Sequence, residues 1–140
     1  MKIEKHEEAL KEVYETIDQA LSDPKGILGH QRRIASMMSM GMQQAIELYF
    51  HKLHIIKPGT QLKHEWFKLD EKNIRNRLSP ILTKNLEEIP KINEILFLSM
   101  KIESDRNDLV YGTPLEDDKK LKEKIDVFLE LKNLIIEEQI

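Results

Sequence analysis

Residues 27–53 read ILGHQRRIASMMSMGMQQAIELYFHKL. Ile34, Met37, Met38, Ala45, Leu48 and Tyr49 fall on one side when this stretch is wound as a helix. It contains no proline and is far longer than an ordinary strand. It is therefore read as one long helix from about Ile27 to Leu53. Its middle is slim, with Ala35, Ser36, Ser39, Gly41 and Ala45 close together. A glycine inside a helix costs about 1 kcal/mol against alanine, which close packing against a neighbour offsets. The expectation is a tight intramolecular helix pair at Gly41 rather than a dimer contact. The methionines read as core filler.

Working outward, Leu10, Val13, Ile17 and Ala20 recur at steps of three and four and predict a helix from Ile3 to Leu21. Ser22-Asp23-Pro24 ends it, because the residue before proline avoids the helical region. On the other side, Ile55 to Lys63 reads as a connection in which Lys57-Pro58-Gly59-Thr60 forms a type II turn. Trp66, Phe67 and Leu69 follow as a short aromatic anchor. Asp70 is placed to cap a helix over 71–78, with Ile74 and Leu78 inward. Ser79-Pro80 reads as a new N-cap, so the region up to Glu88 is two short helices or one kinked helix. Pro90 suits a further helix start. Ile92, Ile95, Leu96, Ser99 and Ile102 carry that helix, which is expected to continue through Arg106. Tyr111-Gly112-Thr113-Pro114 breaks the pattern. Leu121, Ile125, Phe128, Leu131 and Ile135 then predict a last helix over about 116–138. The fold class is thus all-α: one domain over residues 1–140, an up-and-down bundle of about five helices.

The composition agrees. The chain has 140 residues, 40% apolar and 34% charged, with five glycines and five prolines, too few for the turns of an all-β fold. It is long enough to bury a core without disulfides or a structural metal. It has no cysteine, which excludes thiolate metal sites and fits a reducing, cytoplasmic location. The net charge of −3 argues against a broadly basic nucleic-acid binder. The start, MKIEKHEEALKEVYE, is amphipathic and charged, unlike a signal peptide, and no apolar run is long enough for a membrane span.

The most distinctive stretch chemically is Glu103-Ser104-Asp105-Arg106-Asn107-Asp108-Leu109-Val110-Tyr111-Gly112. Arg106 follows Ile102 by one turn, so it is expected to extend the inward face of the fourth helix. A buried arginine needs a partner or a cleft; Glu103, one turn back, is the candidate partner. Glu47, His51 and His54 have a spacing acceptable for a metal, but no second cluster matches it, and solvated histidines are the expectation. His64 is placed to cap or anchor near Trp66. There is no phosphate-binding glycine loop, dinucleotide fingerprint or nucleophile elbow, so no cofactor is implied. No catalytic residue is assigned.

Over about residues 5–137 the chain resembles the HEPN domains, a family of small helical bundles. The likeness rests on the slim helix ending in Gln44-Ala45-Ile46-Glu47-Leu48, on Lys63-His64 after a turn, and on Arg106-Asn107. The last looks like the start of the family's Arg-Asn-x-x-x-His signature, with Tyr111 in place of the histidine. The resemblance implies a homodimer whose two signatures face each other across a cleft. In active members the arginine and histidine cleave RNA without a metal. Other members bind nucleotides or pair with minimal nucleotidyltransferases. With its pKa of about 10, tyrosine is a poor general base at neutral pH, although it can hydrogen-bond or stack. The expectation is a non-catalytic module binding a nucleotide, RNA or a nucleotidyltransferase through Arg106, Asn107, Tyr111 and Glu103. The alternatives are a toxin-like ribonuclease, with Tyr111 or His64 replacing the histidine, and a purely structural interaction bundle.

Overall fold

The computed structural model describes residues 3–139, and side chains through residue 135. Six α-helices occur in this span: α1 (Ile3–Ser22), α2 (Gln31–Lys52), α3 (Glu71–Leu78), α4 (Ile92–Glu103), α5 (Arg106–Tyr111) and α6 (Lys119–Gln139). Five have eight residues or more, and α5 is a turn and a half. The described residues contain no β-strand, only an isolated antiparallel bridge between Ile56 and Leu82. No described helix is long and apolar enough to cross a membrane.

Side-chain pairings give the helix directions. His6 meets Gln44, and the space over Gly41 is shared with Val13, so α1 and α2 run antiparallel. Tyr49 on α2 donates to Pro90 O just before α4 (3.0 Å), and Gln43 on the same helix reaches the His64 backbone beside Glu103 at the end of α4. Lys124 on α6 reaches the last carbonyls of α4, so α6 returns antiparallel to α4. The four long helices therefore alternate up and down, with α3 and α5 as short inserts.

The slim centre of α2 is where the bundle closes. A Cβ on Gly41 would lie 2.7 Å from Phe128 Cζ and 2.9 Å from Val13 Cγ1, closer than atoms can pack. The missing side chain lets α6 and α1 approach α2 together, as the intramolecular reading expected. Ile34, Met38, Ala45, Leu48 and Tyr49 are buried as predicted, in one hydrophobic core with Val13, Ile17, Ile95, Ile102, Leu121, Ile125, Phe128 and Leu131. Met37 only packs partly against it.

Element boundaries moved where polar side chains intervene. Residues Ile27–His30 form a 3-10 turn and α2 begins at Gln31, since His30 (φ −120°, ψ 20°) lies outside the helical region. The last helix starts at Lys119 rather than near 116, because Asp117 turns back to accept from Lys119 N (3.1 Å). Ser79 is not a new N-cap. It stays helical (φ −52°, ψ −43°) and its hydroxyl donates to Arg75 O (2.9 Å). After one 3-10 turn at Ser79–Ile81, Leu82 becomes extended. Its neighbours pair with the incoming loop through Lys57 N to Ile81 O (2.8 Å) and Thr83 N to Ile55 O (2.7 Å). Residues 64–88 are thus one α-helix flanked by 3-10 turns.

Two local readings hold. Gly59 takes φ +75° in the turn closed by Thr60 N to Lys57 O (3.3 Å). Asp70 caps α3 by accepting from Asn73 N (2.9 Å). Asp70→Ala is expected to lower stability by about 1 kcal/mol, read as a lower urea midpoint at unchanged slope.

Candidate functional site

The fourth helix does not reach Arg106. α4 stops at Glu103, and Asp105 adopts a left-handed conformation (φ 63°, ψ 5°) before α5 begins. The cause lies on α6. Lys124 Nζ donates to Lys101 O and to Ser104 O, the latter at 2.7 Å, taking up carbonyls that a longer helix would use itself. Lys120 Nζ holds Asp105 at 3.0 Å and keeps its carboxyl below the usual carboxylate range. Burial pushes the Lys124 ammonium down, against the opposing pull of Asp105. Neither lysine stood out in the sequence. Lys124 lies three residues after Leu121 and four before Phe128, so the apolar stripe of α6 did carry the signal.

The expected Glu103–Arg106 pair does not form. Glu103 is 1% exposed and its Oε1 receives His64 Nδ1 at 2.8 Å. The left-handed Asp105 breaks the helical register that would have placed Arg106 one turn above Glu103. His64 is positioned by its backbone N–H on Gln43 Oε1 (3.2 Å), and its Nε2 faces Glu65 Oε1 at 3.1 Å. It therefore anchors to α2 and α4 rather than to Trp66. Glu103 Oε2 is buried with no hydrogen-bond partner among the described residues.

Arg106 opens α5 beside a groove of about 490 Å³ whose walls include Phe67, Lys68, Leu69, Met100, Glu103 and Asn107. Its guanidinium makes no ion pair with any described residue, and its Nε is buried without a hydrogen-bond partner. Asn107 is exposed on the groove wall. Tyr111 is not among the lining residues and is 76% exposed. Five residues at about 100° each put it roughly 140° around the helix from Arg106. The structure thus brings Arg106, Asn107 and Glu103 to one groove and leaves Tyr111 outside it.

Gln31, which the sequence did not single out, fixes α5 in place. It is 5% exposed; its Nε2 donates to Leu109 O (3.1 Å) and its Oε1 accepts from Leu115 N (2.8 Å).

Glu47 and His51, one turn apart on α2, both meet His6, but His54 lies beyond the helix and does not join them. Glu47 is buried (3% exposed) and accepts from Leu62 N at 2.6 Å. His54 is exposed, with φ 58°. His51 stacks 5.1 Å from the ring of His6, so it is not simply solvated. His6 is fully buried, with Nδ1 2.6 Å from Gln44 Oε1 and Nε2 3.6 Å from Glu47 Oε2. It extends the stripe of Leu10 and Val13 by one turn, a legible signal. No group of three or more His, Asp or Glu side chains suited to a metal occurs among the described residues.

The fold and groove define an all-α bundle with an arginine at a helix junction that forms no ion pair among the described residues. No family model, curated protein or solved structure matches the chain.

Proposed function

We propose that this chain is a non-catalytic, HEPN-like module that binds a nucleotide or RNA phosphate in the groove at Arg106. The carrying observation is the arginine itself: a guanidinium on a groove wall, without an ion pair among the described residues and with a buried, unpartnered Nε. An unpaired buried donor is costly, and a phosphate oxygen is the acceptor that the planar guanidinium fits best. Leu69 and Met100 offer an apolar wall for a base or ribose, and Lys68 and Asn107 add a cation and an amide beside the carboxyls of Asp105 and Asp108, which also line the groove. A homodimer belongs to the same proposal and rests on the family resemblance. A minimal nucleotidyltransferase is the protein partner that the resemblance suggests.

The test is fluorescence anisotropy with a short labelled RNA, competed by nucleoside mono- and triphosphates. Arg106→Ala is expected to weaken binding by about tenfold to a hundredfold with little change in melting temperature. Arg106→Lys is expected to recover part of it, since the charge returns without the fork. Equal binding by wild type and Arg106→Ala would remove the proposal. Light scattering tests the dimer, which a monomer at micromolar concentration overturns.

One observation favours a second reading, metal-independent RNA cleavage. The buried Glu103 carboxylate orients His64 by its Nδ1, as for a histidine acting as acid or base; its Nε2 would have to exchange the Glu65 Oε1 contact (3.1 Å) for substrate. RNA cleavage in EDTA by wild type, lost in His64→Ala, would replace the binding reading with this one.

A further inference from the structure

Away from that groove, α1, α2 and α6 enclose a cleft of about 260 Å³. Leu10, Ala45, Leu48 and Ile135 form its floor, each no more than 7% exposed. Ala45 is the small residue that keeps it open. Among the described lining residues, the rim carries Lys11, Lys52 and Lys132 and one acid, Glu7. Lys132 Nζ lies 4.1 Å over the Tyr14 ring, and Glu7 stands 3.8 Å from Lys52. Burial pushes the Tyr14 phenol up to about 12, so this wall stays neutral at physiological pH.

An apolar floor with a cationic rim matches a small amphiphile bearing one anionic end. We propose that this cleft binds a medium-chain carboxylate, its alkyl chain over Ala45 and Leu48 and its carboxylate at Lys132 and Lys11. The volume lies just below the roughly 300–1,000 Å³ of sites for drug-sized ligands, which favours a short single chain over a phospholipid. The lysine stems cover the chain while their ammonium groups stay in water. The chain supplies the affinity and the rim supplies selectivity for charge sign.

Titration calorimetry with decanoate, decanol and decylammonium on the full chain tests this, with methyl chemical shifts of Leu10, Leu48 and Ile135 followed by NMR. Decanoate is expected to bind most tightly and to shift those three methyls. Ala45→Leu fills the cleft and is expected to abolish both effects. Lys132→Met keeps the stem and is expected to weaken decanoate about tenfold while leaving decanol unchanged. Decanoate binding that survives Ala45→Leu, equal binding of all three probes, or no binding up to about 1 mM would each overturn the proposal. The last outcome would mean that the cleft is too shallow or already covered by the chain itself. Melting curves of both variants confirm that they fold.

Discussion

Phe128→Ala is expected to lower the unfolding free energy by about 3–5 kcal/mol, a large fraction of the roughly 5–15 kcal/mol of an ordinary domain. The ring is 1% exposed, packs 5.8 Å from Tyr14 and fills the space above Gly41. Gly41→Ala tests the same contact from the other side. Helix propensity alone favours alanine by about 1 kcal/mol, but the new Cβ would sit 2.7 Å from Phe128 Cζ. Overpacking of this kind costs about 1–3 kcal/mol, so the single variant is expected to be destabilised. In the Phe128→Ala background the clash with the ring is gone while the 2.9 Å approach to Val13 Cγ1 remains, so part of that cost is expected to vanish. Urea denaturation of the four proteins gives the coupling directly. Equal effects of Gly41→Ala in both backgrounds would show that the glycine is not there for the ring.

His6→Ala is expected to cost about 2–5 kcal/mol, because it empties a fully buried site and leaves Gln44 Oε1 without its 2.6 Å partner. Glu47 Oε1 accepts from Leu62 N, and its Oε2 lies 3.6 Å from His6 Nε2. The pH dependence reports on Glu47. Burial holds the Glu47 carboxyl above the usual range, with the Leu62 N–H and His6 pulling it back. The unfolded chain releases this proton near pH 4.3 or so, while the folded site keeps it until its own higher value. The unfolded state therefore binds fewer protons in that interval, and stability falls as pH rises through it. Glu47→Gln keeps an acceptor for Leu62 and is expected to flatten this part of the curve. Denaturation midpoints measured across the acid range check it; an unchanged slope in Glu47→Gln would assign the effect to another group.

Much of the bundle was legible because helical periodicity is local. Leu10-Val13-Ile17 and Leu121-Ile125-Phe128 point inward whatever lies opposite them. Caps and turns are local as well, so Asp70 and Pro58-Gly59 could be placed from a few residues of sequence. The end of α4 could not be. Ser104-Asp105 only weakly disfavours a helix interior; Lys124 and Lys120, about twenty and fifteen residues further along, hold the carbonyls and the carboxylate at the break. The candidate site shows the same division. Arg106, Asn107 and Glu103 could be named from the chain, but which of them meet could not. His64, thirty-nine residues before Glu103, takes the carboxylate that sequence spacing had offered to Arg106.

The sequence by itself determined an all-α chain, the positions of its long helices, and a slim point in α2 needing a close neighbour. Only the tertiary structure decided that Phe128 is that neighbour, that Glu103 belongs to His64, and that Tyr111 stands outside the groove. The physical reason is range. Periodicity, caps and turns act within one or two helical turns and are written in consecutive residues. Buried charge pairing depends on which side chains the packed helices bring within a few ångströms of each other, and here that choice left the Arg106 guanidinium facing a groove instead of a carboxylate.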